Sequence, residues 1–490
     1  MKDLSSRLTA LSPRQRSLLE ARLKAEGIDL DIGFPPLQPV EEREYYPLSP
    51  VQRRLFFIQQ FEEAGIVYNV VETRVIPAGL DKERLLEVFK ILINRHDSFR
   101  TSFEYADGEP VQRIHRVVAF EIECCHIAAR DAKGREIEDF VRPFDLARPP
   151  LLRVGTVDLA ADRFLLMIDM HHIMSDQASR RILINEFLRL YIEGESDLPA
   201  LKLRYKDFVQ WRRSAAVTAA LKSQQAYWLK AFAGEVPVLN LPTDFERPRP
   251  KRYDGGSFSF RIDQRQTILL KELAVREHTT LFVVLLSIYN VLLSKISRQT
   301  DIIVGTPVAG RRRAGLDGII GMFVNTLVLR NRVDKEPTFT DFLERVKQKT
   351  LQAFENQDYE FEELVNGVVK ARDSSRNPLF DVFFSFTYPD FKQLPPIVLD
   401  QEQEIPESRL SMFDLFLTGA EIGEGLYLVM IYCTGLFKQQ TIQRFVHHFR
   451  HILSTAADHP DIKLKDIRLS HDMETAAPEV FTNEDNTFDF

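Results

Sequence analysis

The sequence predicts a mixed α/β protein built as two lobes, and three observations carry that expectation. The chain has 490 residues, more than one hydrophobic core ordinarily serves; two lobes of roughly 200 residues each are the natural division. Apolar runs of strand length alternate with stretches of helical period. Phe164 to Ile168 is one such run, after which Leu183, Phe187, Leu190 and Tyr191 recur at helical spacing. Near the middle, Leu241-Pro242 to Gly255-Gly256 is rich in proline, charge and glycine, the composition of a long connecting loop.

Taken in order, residues 1–44 form a helix and linker ahead of the main fold. Ser12-Pro13-Arg14-Gln15 reads as a capping box with proline at the first helical position. Leu18, Leu19 and Leu23 make a narrow apolar stripe, and Gly27 ends the helix. Phe34-Pro35-Pro36-Leu37-Gln38-Pro39 is a stiff linker, so the helix could join an upstream module or dock on the domain itself. Residues 45–212 make the first lobe, with a strand at Val70 to Val75 and a helix from Asp81 to Asn94. Residues 213–256 connect the lobes, helical from about Ala215 to Phe232 and then the loop. Residues 257–470 repeat the strand and helix mixture as a second lobe, without detectable internal sequence repeat. Within it, Leu281 to Leu293 is too short for a membrane span and is interrupted by Ser287 and Asn290. A buried helix capped by Thr279 or Thr280 fits it better. Residues 471–490 are acidic and read as a linker towards a following domain.

Composition narrows the function classes. Hydrophobic content of 44% with 28% charged residues is that of a soluble globular protein. A net charge of −7 speaks against a nucleic-acid binder, and Arg311-Arg312-Arg313 is too short to be a basic stripe. The first fifteen residues are polar, without the apolar centre of a secretory signal. Neighbouring Cys124 and Cys125 with distant Cys433 do not make a disulfide framework; free thiols in a reducing cytoplasm are expected.

The chemistry concentrates in Asp169-Met170-His171-His172-Ile173-Met174-Ser175-Asp176-Gln177, where the strand should give way to the helix. Scaffolds expose reactive side chains at such turns, and histidine moves protons near neutral pH. Adjacent strand residues point to opposite faces, so one histidine should face a cleft and the other turn into the structure. The plain alternative is a buried strand that ends in two hydrogen-bonded histidines. A metal is not expected there, because the two side chains diverge and no third ligand lies nearby. His447-His448 with His451 has helical spacing suited to a metal, but a solvated helix face is the preferred reading.

His171-His172 with Asp176 resembles the His-His-x-x-x-Asp-Gly signature of condensation domains of nonribosomal peptide synthetases, with Gln177 where the pattern has glycine. Six further segments resemble the family's motifs in the family's order. They are Tyr46-Pro47-Leu48-Ser49-Pro50-Val51-Gln52-Arg53-Arg54-Leu55, Arg95-His96-Asp97-Ser98-Phe99-Arg100-Thr101-Ser102-Phe103 and Tyr205-Lys206-Asp207-Phe208-Val209-Gln210-Trp211. Beyond these come Ile320-Gly321-Met322-Phe323-Val324-Asn325-Thr326, Asn356-Gln357-Asp358-Tyr359-Glu360-Phe361-Glu362 and Arg372-Asp373-Ser374-Ser375-Arg376-Asn377-Pro378-Leu379. The resemblance covers residues 46 to 380 and continues more weakly to about 470.

The resemblance implies two chloramphenicol-acetyltransferase-like lobes, set as a V-shaped pseudo-dimer around a central tunnel. It implies peptide-bond formation between a donor acyl or peptidyl thioester and the amine of an acceptor aminoacyl thioester, in antibiotic or secondary-metabolite biosynthesis. Both substrates hang on phosphopantetheine arms of upstream and downstream peptidyl carrier proteins, next to an adenylation domain. No cofactor is bound covalently, and neither metal, nucleic acid nor membrane is called for. As a single unit the chain should be monomeric.

His172 matches the reacting histidine, which could accept the amine proton or hold the amine and the tetrahedral intermediate. His171 matches the structural one. Asp176 could cap the following helix or pair with Arg311, the matching arginine of the second lobe. Gln177 adds a side chain near the tunnel where glycine would leave room. Ser179 matches a serine near the tunnel that is more a helix-start hydrogen bonder than a catalyst. Asn325 could line the tunnel or hold a buried hydrogen-bond network.

The two histidines separate the chain from heterocyclising relatives, and the Phe323-Val324-Asn325-Thr326 wording separates it from epimerising ones. The motif wording is most like the class joining an L-donor to an L-acceptor. Alternatives are a starter domain acylating the first amino acid from acyl-coenzyme A, and a non-catalytic domain that recruits carriers or partner enzymes.

Overall fold

A computed structural model describes residues 34–60, 65–76, 79–125, 140–159, 163–194, 198–370, 373–387 and 410–469. The expected helix between Ser12 and Gly27, the acidic tail after residue 470, and Arg372 at the head of the last motif lie outside them. So do the side chains of Cys124 and Cys125; Cys433 is a buried free thiol.

The first half contains β1 (Tyr45–Pro47), α1 (Pro50–Ile58), β2 (Asn69–Ile76), α2 (Lys82–Arg95), β3 (Thr101–Ala106), β4 (Glu109–Ile114) and β5 (Glu123–Cys125). It continues with β6 (Leu152–Leu159), β7 (Arg163–His171), α3 (Gln177–Tyr191) and α4 (Tyr205–Arg212). Four strands form a sheet in the order β2-β7-β6-β5, antiparallel except where β5 joins β6. On β7 the alternate residues Phe164, Leu166, Ile168 and Met170 enter the core of this half, while Asp169 and His171 project from the opposite face. Helix α2 buries Leu85, Val88, Phe89, Leu92 and Ile93, the spacing of one helical face. Its Phe89 stacks on Phe187 of α3 at 5.4 Å, and Arg95 and His96 hold the buried Glu186 of α3 at 3.1 and 2.7 Å. A smaller sheet, β1-β4-β3, turns its hairpin at Asp107-Gly108, where both φ angles are positive.

Two short helices, α5 (Ala215–Ala220) and α6 (Lys222–Ala231), lead into the second half. There lie β8 (Gly255–Ile262), α7 (Gln264–Arg276), α8 (Leu281–Ser297), β9 (Asp301–Val308), β10 (Asn325–Arg332), α9 (Phe339–Glu355) and α10 (Phe361–Val368). After them come β11 (Val382–Thr387), β12 (Leu415–Ile422), β13 (Gly425–Cys433) and α11 (Gln439–Asp458). The six strands order as β10-β9-β11-β12-β13-β8, with β11 parallel to both neighbours. Helix α8 is buried almost all round, which accounts for its continuous apolar sequence. Thr280 caps it, and Ser287 and Asn290 turn their polar atoms back onto the carbonyls of Val283 and Leu286. Among the described residues no single helix is long and apolar enough to cross a membrane.

Residues 309–324 cross from the second half to the first. Between β9 and β10 the chain places Leu316, Ile319, Ile320, Met322 and Phe323 in the first half's core. Ser98 Oγ donates to the Ile320 carbonyl at 2.5 Å, and the Tyr205 hydroxyl to the Met322 carbonyl at 2.6 Å. Gly310 opens this crossing segment with φ +67°, and an added Cβ would overlap the Phe323 carbonyl. Residues that sequence order assigns to the second lobe thus complete the core of the first.

Candidate active site

Strand β7 ends on His171, and His172 opens a single 3-10 turn to Met174 before Asp176 starts α3. His171 is 0% exposed. Its Nδ1 accepts from Ile173 N at 3.1 Å, so Nε2 carries the proton and donates to Gln59 Oε1 at 3.2 Å. Burial drives its pKa down to about 3, and the neighbouring His172 and Arg153 push the same way. His171 is therefore a neutral imidazole spent on shaping the turn. On the same face, Asp169 accepts from Asn69 at 2.9 Å and Arg153 at 2.7 Å. Burial raises that carboxyl to about 6 against the pull of Arg153.

His172 is half-buried. Its backbone N–H donates to Tyr68 O at 2.7 Å, and ring Nδ1 lies 2.7 Å from the Ser175 carbonyl. A carbonyl only accepts, so Nδ1 holds the hydrogen and Nε2 keeps a lone pair. Among the described residues nothing hydrogen-bonds to Nε2. Burial lowers the pKa of this ring, the Ser175 carbonyl and Asp176 oppose that, and Arg54 adds to it. The imidazole is thus a neutral base near pH 7, with its acceptor nitrogen open. Amide transfer should accordingly hold its rate through neutral pH and fall only below the ordinary histidine value of about 6.5. The sign follows from the lowered pKa: protonation, which removes the acceptor, is delayed to lower pH. A pH–rate profile checks this, and a rate already halved at pH 7 would contradict it.

Helix α1 buttresses the turn. Ser49 and Gln52 form a capping box, and Gln52 Nε2 also donates to the Ile173 carbonyl at 3.2 Å. Arg54 of α1 pairs with Glu362 of α10 in the other half at 3.1 Å.

Asp176, 3% exposed, performs both jobs left open by its sequence context. Its Oδ1 accepts from Ser179 N at 2.7 Å as the helix cap, from Ser179 Oγ at 2.8 Å and from Arg311 Nη2 at 3.0 Å. Oδ2 accepts from Phe323 N at 3.1 Å. Arg311 further donates to the carbonyls of Leu316 and Ile319 at 2.8 and 2.6 Å, and its guanidinium carbon lies 4.1 Å from the centre of the Phe323 ring. One carboxylate and one guanidinium so tie the active-site turn to the crossing segment.

The family model for the condensation domain matches residues 42–477. The chain belongs to the condensation domain family. Tyrocidine synthase 2 of Brevibacillus parabrevis is 44% identical over 439 residues, 88% of this chain and 12% of that protein. Surfactin synthase subunit 2 of Bacillus subtilis (strain 168) is 40% identical over 464 residues, 91% of this chain and 12% of that protein. The chain thus spans about an eighth of the length of these relatives. Among solved structures, a four-domain nonribosomal peptide synthetase bound to AMP and glycine superposes with a TM-score of 0.78 at 24% identity, over 88% of this chain and 34% of that one. The first condensation domain of the CDA synthetase superposes with a TM-score of 0.70 at 18% identity, over 87% of this chain and 99% of that one. At these identities the superpositions speak for the fold: this condensation domain has the mixed α/β architecture of its family.

One tunnel assignment needs correction. Ser179 is 0% exposed. Its hydroxyl has Asp176 Oδ1 and the Gly321 carbonyl within reach of its single hydrogen, at 2.8 and 2.9 Å, and accepts from Gly321 N and Arg311. No surface is left to line a passage. Asn325 is half-buried and borders a cavity between the halves, and its amide is also fully hydrogen-bonded. Nδ2 donates to the carbonyls of Gln357 and Tyr359, and Oδ1 accepts from Thr326 N and Phe361 N. It orders the loop before α10.

Gln177 is exposed at the first position of α3 and is not among the residues with positive φ. The backbone there does not require glycine. Gln177→Gly should change the transfer rate by less than about threefold and cost about 0.5–1 kcal/mol of stability. Transfer assays and denaturant titration check both; a gain of tenfold or more would show that the glutamine side chain obstructs substrate.

Gln52, Arg54, Tyr68 and Glu362 were not singled out from sequence. The first two sit inside the opening motif and Glu362 in the sixth, whereas Tyr68 belongs to none. His447 and His448 are half-buried on α11, and among the described residues no group of three His, Cys, Asp or Glu is placed to hold a metal.

Proposed function

We propose that this condensation domain joins a donor acyl or peptidyl thioester to the amine of an acceptor aminoacyl thioester, each delivered on the phosphopantetheine arm of a carrier protein. The observation that carries the reading is the open Nε2 of a neutral, half-buried His172 beside the contacts that join the two halves. As the amine attacks the thioester carbonyl, a C–N bond forms and a proton must leave nitrogen. Nε2 accepts that proton or its hydrogen bond while Ser175 holds the ring from behind. The C–S bond then breaks, and the donor thiol leaves with the proton. A thioester is already activated, so orientation of two tethered reactants supplies much of the rate.

The two arms enter from opposite faces through a tunnel between the lobes. Upstream and downstream peptidyl carrier proteins are the partners, with an adenylation domain adjoining. Donor and acceptor are both L-configured, and the domain works in the cytoplasm as a monomeric unit. The multidomain four-domain relative and the synthase names of the curated relatives support this setting.

The test offers one acceptor carrier loaded with a free amino acid. The donor is the same acyl group on a carrier or on coenzyme A. We expect transfer from the carrier to exceed that from coenzyme A by at least about 100-fold, the difference made by docking and tethering. Equal or faster transfer from coenzyme A would replace this reading by that of a starter domain.

A further inference from the structure

Residues 34–41 precede the region matched by the family model, yet Phe34, Pro35, Leu37 and Val40 are half-buried against it. The Pro35 carbonyl accepts from Trp211 Nε1 at 2.7 Å. Val40 N donates to one oxygen of Asp207 at 2.9 Å, while the other accepts from Arg204 N at 2.6 Å. Phe34 lies 5.9 Å from the Trp211 ring, and Leu37 joins the same apolar cluster with Phe208 and Leu221. The segment is a strap laid over α4.

Arg313 of the crossing segment meets this strap. Its guanidinium carbon is 4.2 Å from the centre of the Phe34 ring and 5.3 Å from that of Trp211. Its Nη2 is 3.6 Å from Asp358, and only 10% of the side chain is accessible. Cations are drawn to aromatic faces, more strongly where water is excluded, and the flat guanidinium stacks as an ammonium cannot. Two residues earlier, Arg311 holds Asp176 and Ser179. The crossing segment is thus gripped twice within three residues, once by the active-site turn and once by the strap.

We propose that Phe34 is a positioning residue: with Trp211 it clamps Arg313 and so holds the crossing segment where Arg311 reaches Asp176. The clamp follows from this chain's own packing, and only its effect on transfer rests on the functional reading above.

Hydrogen exchange of residues 309–324 in the full chain tests it, compared between the wild type, Phe34→Ala, Phe34→Leu and Phe34→Tyr. Phe34→Ala should speed exchange there about tenfold while leaving the second half's sheet protected. It should also shift tryptophan emission to the red through Trp211, since Trp228 is the only other tryptophan and lies in the second core. Phe34→Tyr should match the wild type, whereas Phe34→Leu, apolar but without a ring face, should match alanine. Arg313→Lys keeps the charge opposite Asp358 but loses the stack; it should reproduce Phe34→Ala, and combining the two should add little. Transfer by each loosened variant should fall about three- to tenfold in step with exchange. Unchanged exchange in Phe34→Ala, or full rescue by leucine, overturns the clamp. Faster exchange with undiminished transfer overturns its positioning role. A wild type inactive with every substrate pair would remove the functional reading, while the exchange comparison still decides the clamp.

Discussion

His172→Ala should lower the rate of amide transfer by about 10²–10⁴-fold, the range a positioned general base contributes. The fold should be nearly unaffected, because among the described residues the ring makes a single hydrogen bond, to the carbonyl of Ser175. The turn it leaves is held by other groups. His172 N still reaches Tyr68 O, Gln52 still holds the Ile173 carbonyl, and His171 still accepts from Ile173 N. His171→Ala should behave in the opposite way. Its ring is buried and bonded at both nitrogens, so stability falls first and activity follows. Denaturant titration beside transfer kinetics separates the two. Equal activity loss without destabilisation in both variants would mean that the roles are not divided in this way.

The second large effect concerns Asp176 and Arg311. Breaking a buried pair by removing one partner leaves an uncompensated charge and costs about 3–5 kcal/mol. Asp176→Ala also removes the cap of α3, a further loss of about 1 kcal/mol, and the acceptor for Phe323 N. We expect Asp176→Ala to shift the unfolding midpoint far below that of the wild type. Asp176→Asn, which keeps a capping oxygen, should cost less. Arg311→Met in the Asp176→Asn background should restore part of the loss, since both charges are then gone. Strictly additive losses would deny that the two side chains act as a pair.

Much of the architecture is written locally. The alternation of Phe164, Leu166, Ile168 and Met170 against Asp169 and His171 follows from strand geometry, and so does the divergence of the two histidines. Which histidine is buried is not local. It depends on Leu151, whose carbonyl takes His171 N, and on Tyr68, whose carbonyl takes His172 N. The continuous apolar run of α8 reads as a buried helix, and Ser287 Oγ and Asn290 Nδ2 inside it find carbonyl partners one turn back in the helix itself.

The crossing segment was not legible. Ile320, Met322 and Phe323 look like any apolar run of the second half until tertiary packing hands them to the first core. For the same reason Ser179 reads as a tunnel residue in sequence, although the Gly321 backbone covers it from the other half. Gln177 looks like a defect when glycine is expected. Its helical position and exposure make it an ordinary first-turn residue.

The most direct test of the account is intact-mass spectrometry of two carriers mixed with the protein. One is loaded with an acylated aminoacyl donor, the other with a free amino acid. With wild type, the acceptor carrier should gain the mass of the donor chain as the donor carrier loses it, and His172→Ala should abolish that shift within the assay. Equal transfer by His172→Ala would contradict the assignment of the open Nε2. No transfer by the wild type across several donor and acceptor pairs, with carrier binding intact, would contradict catalysis itself.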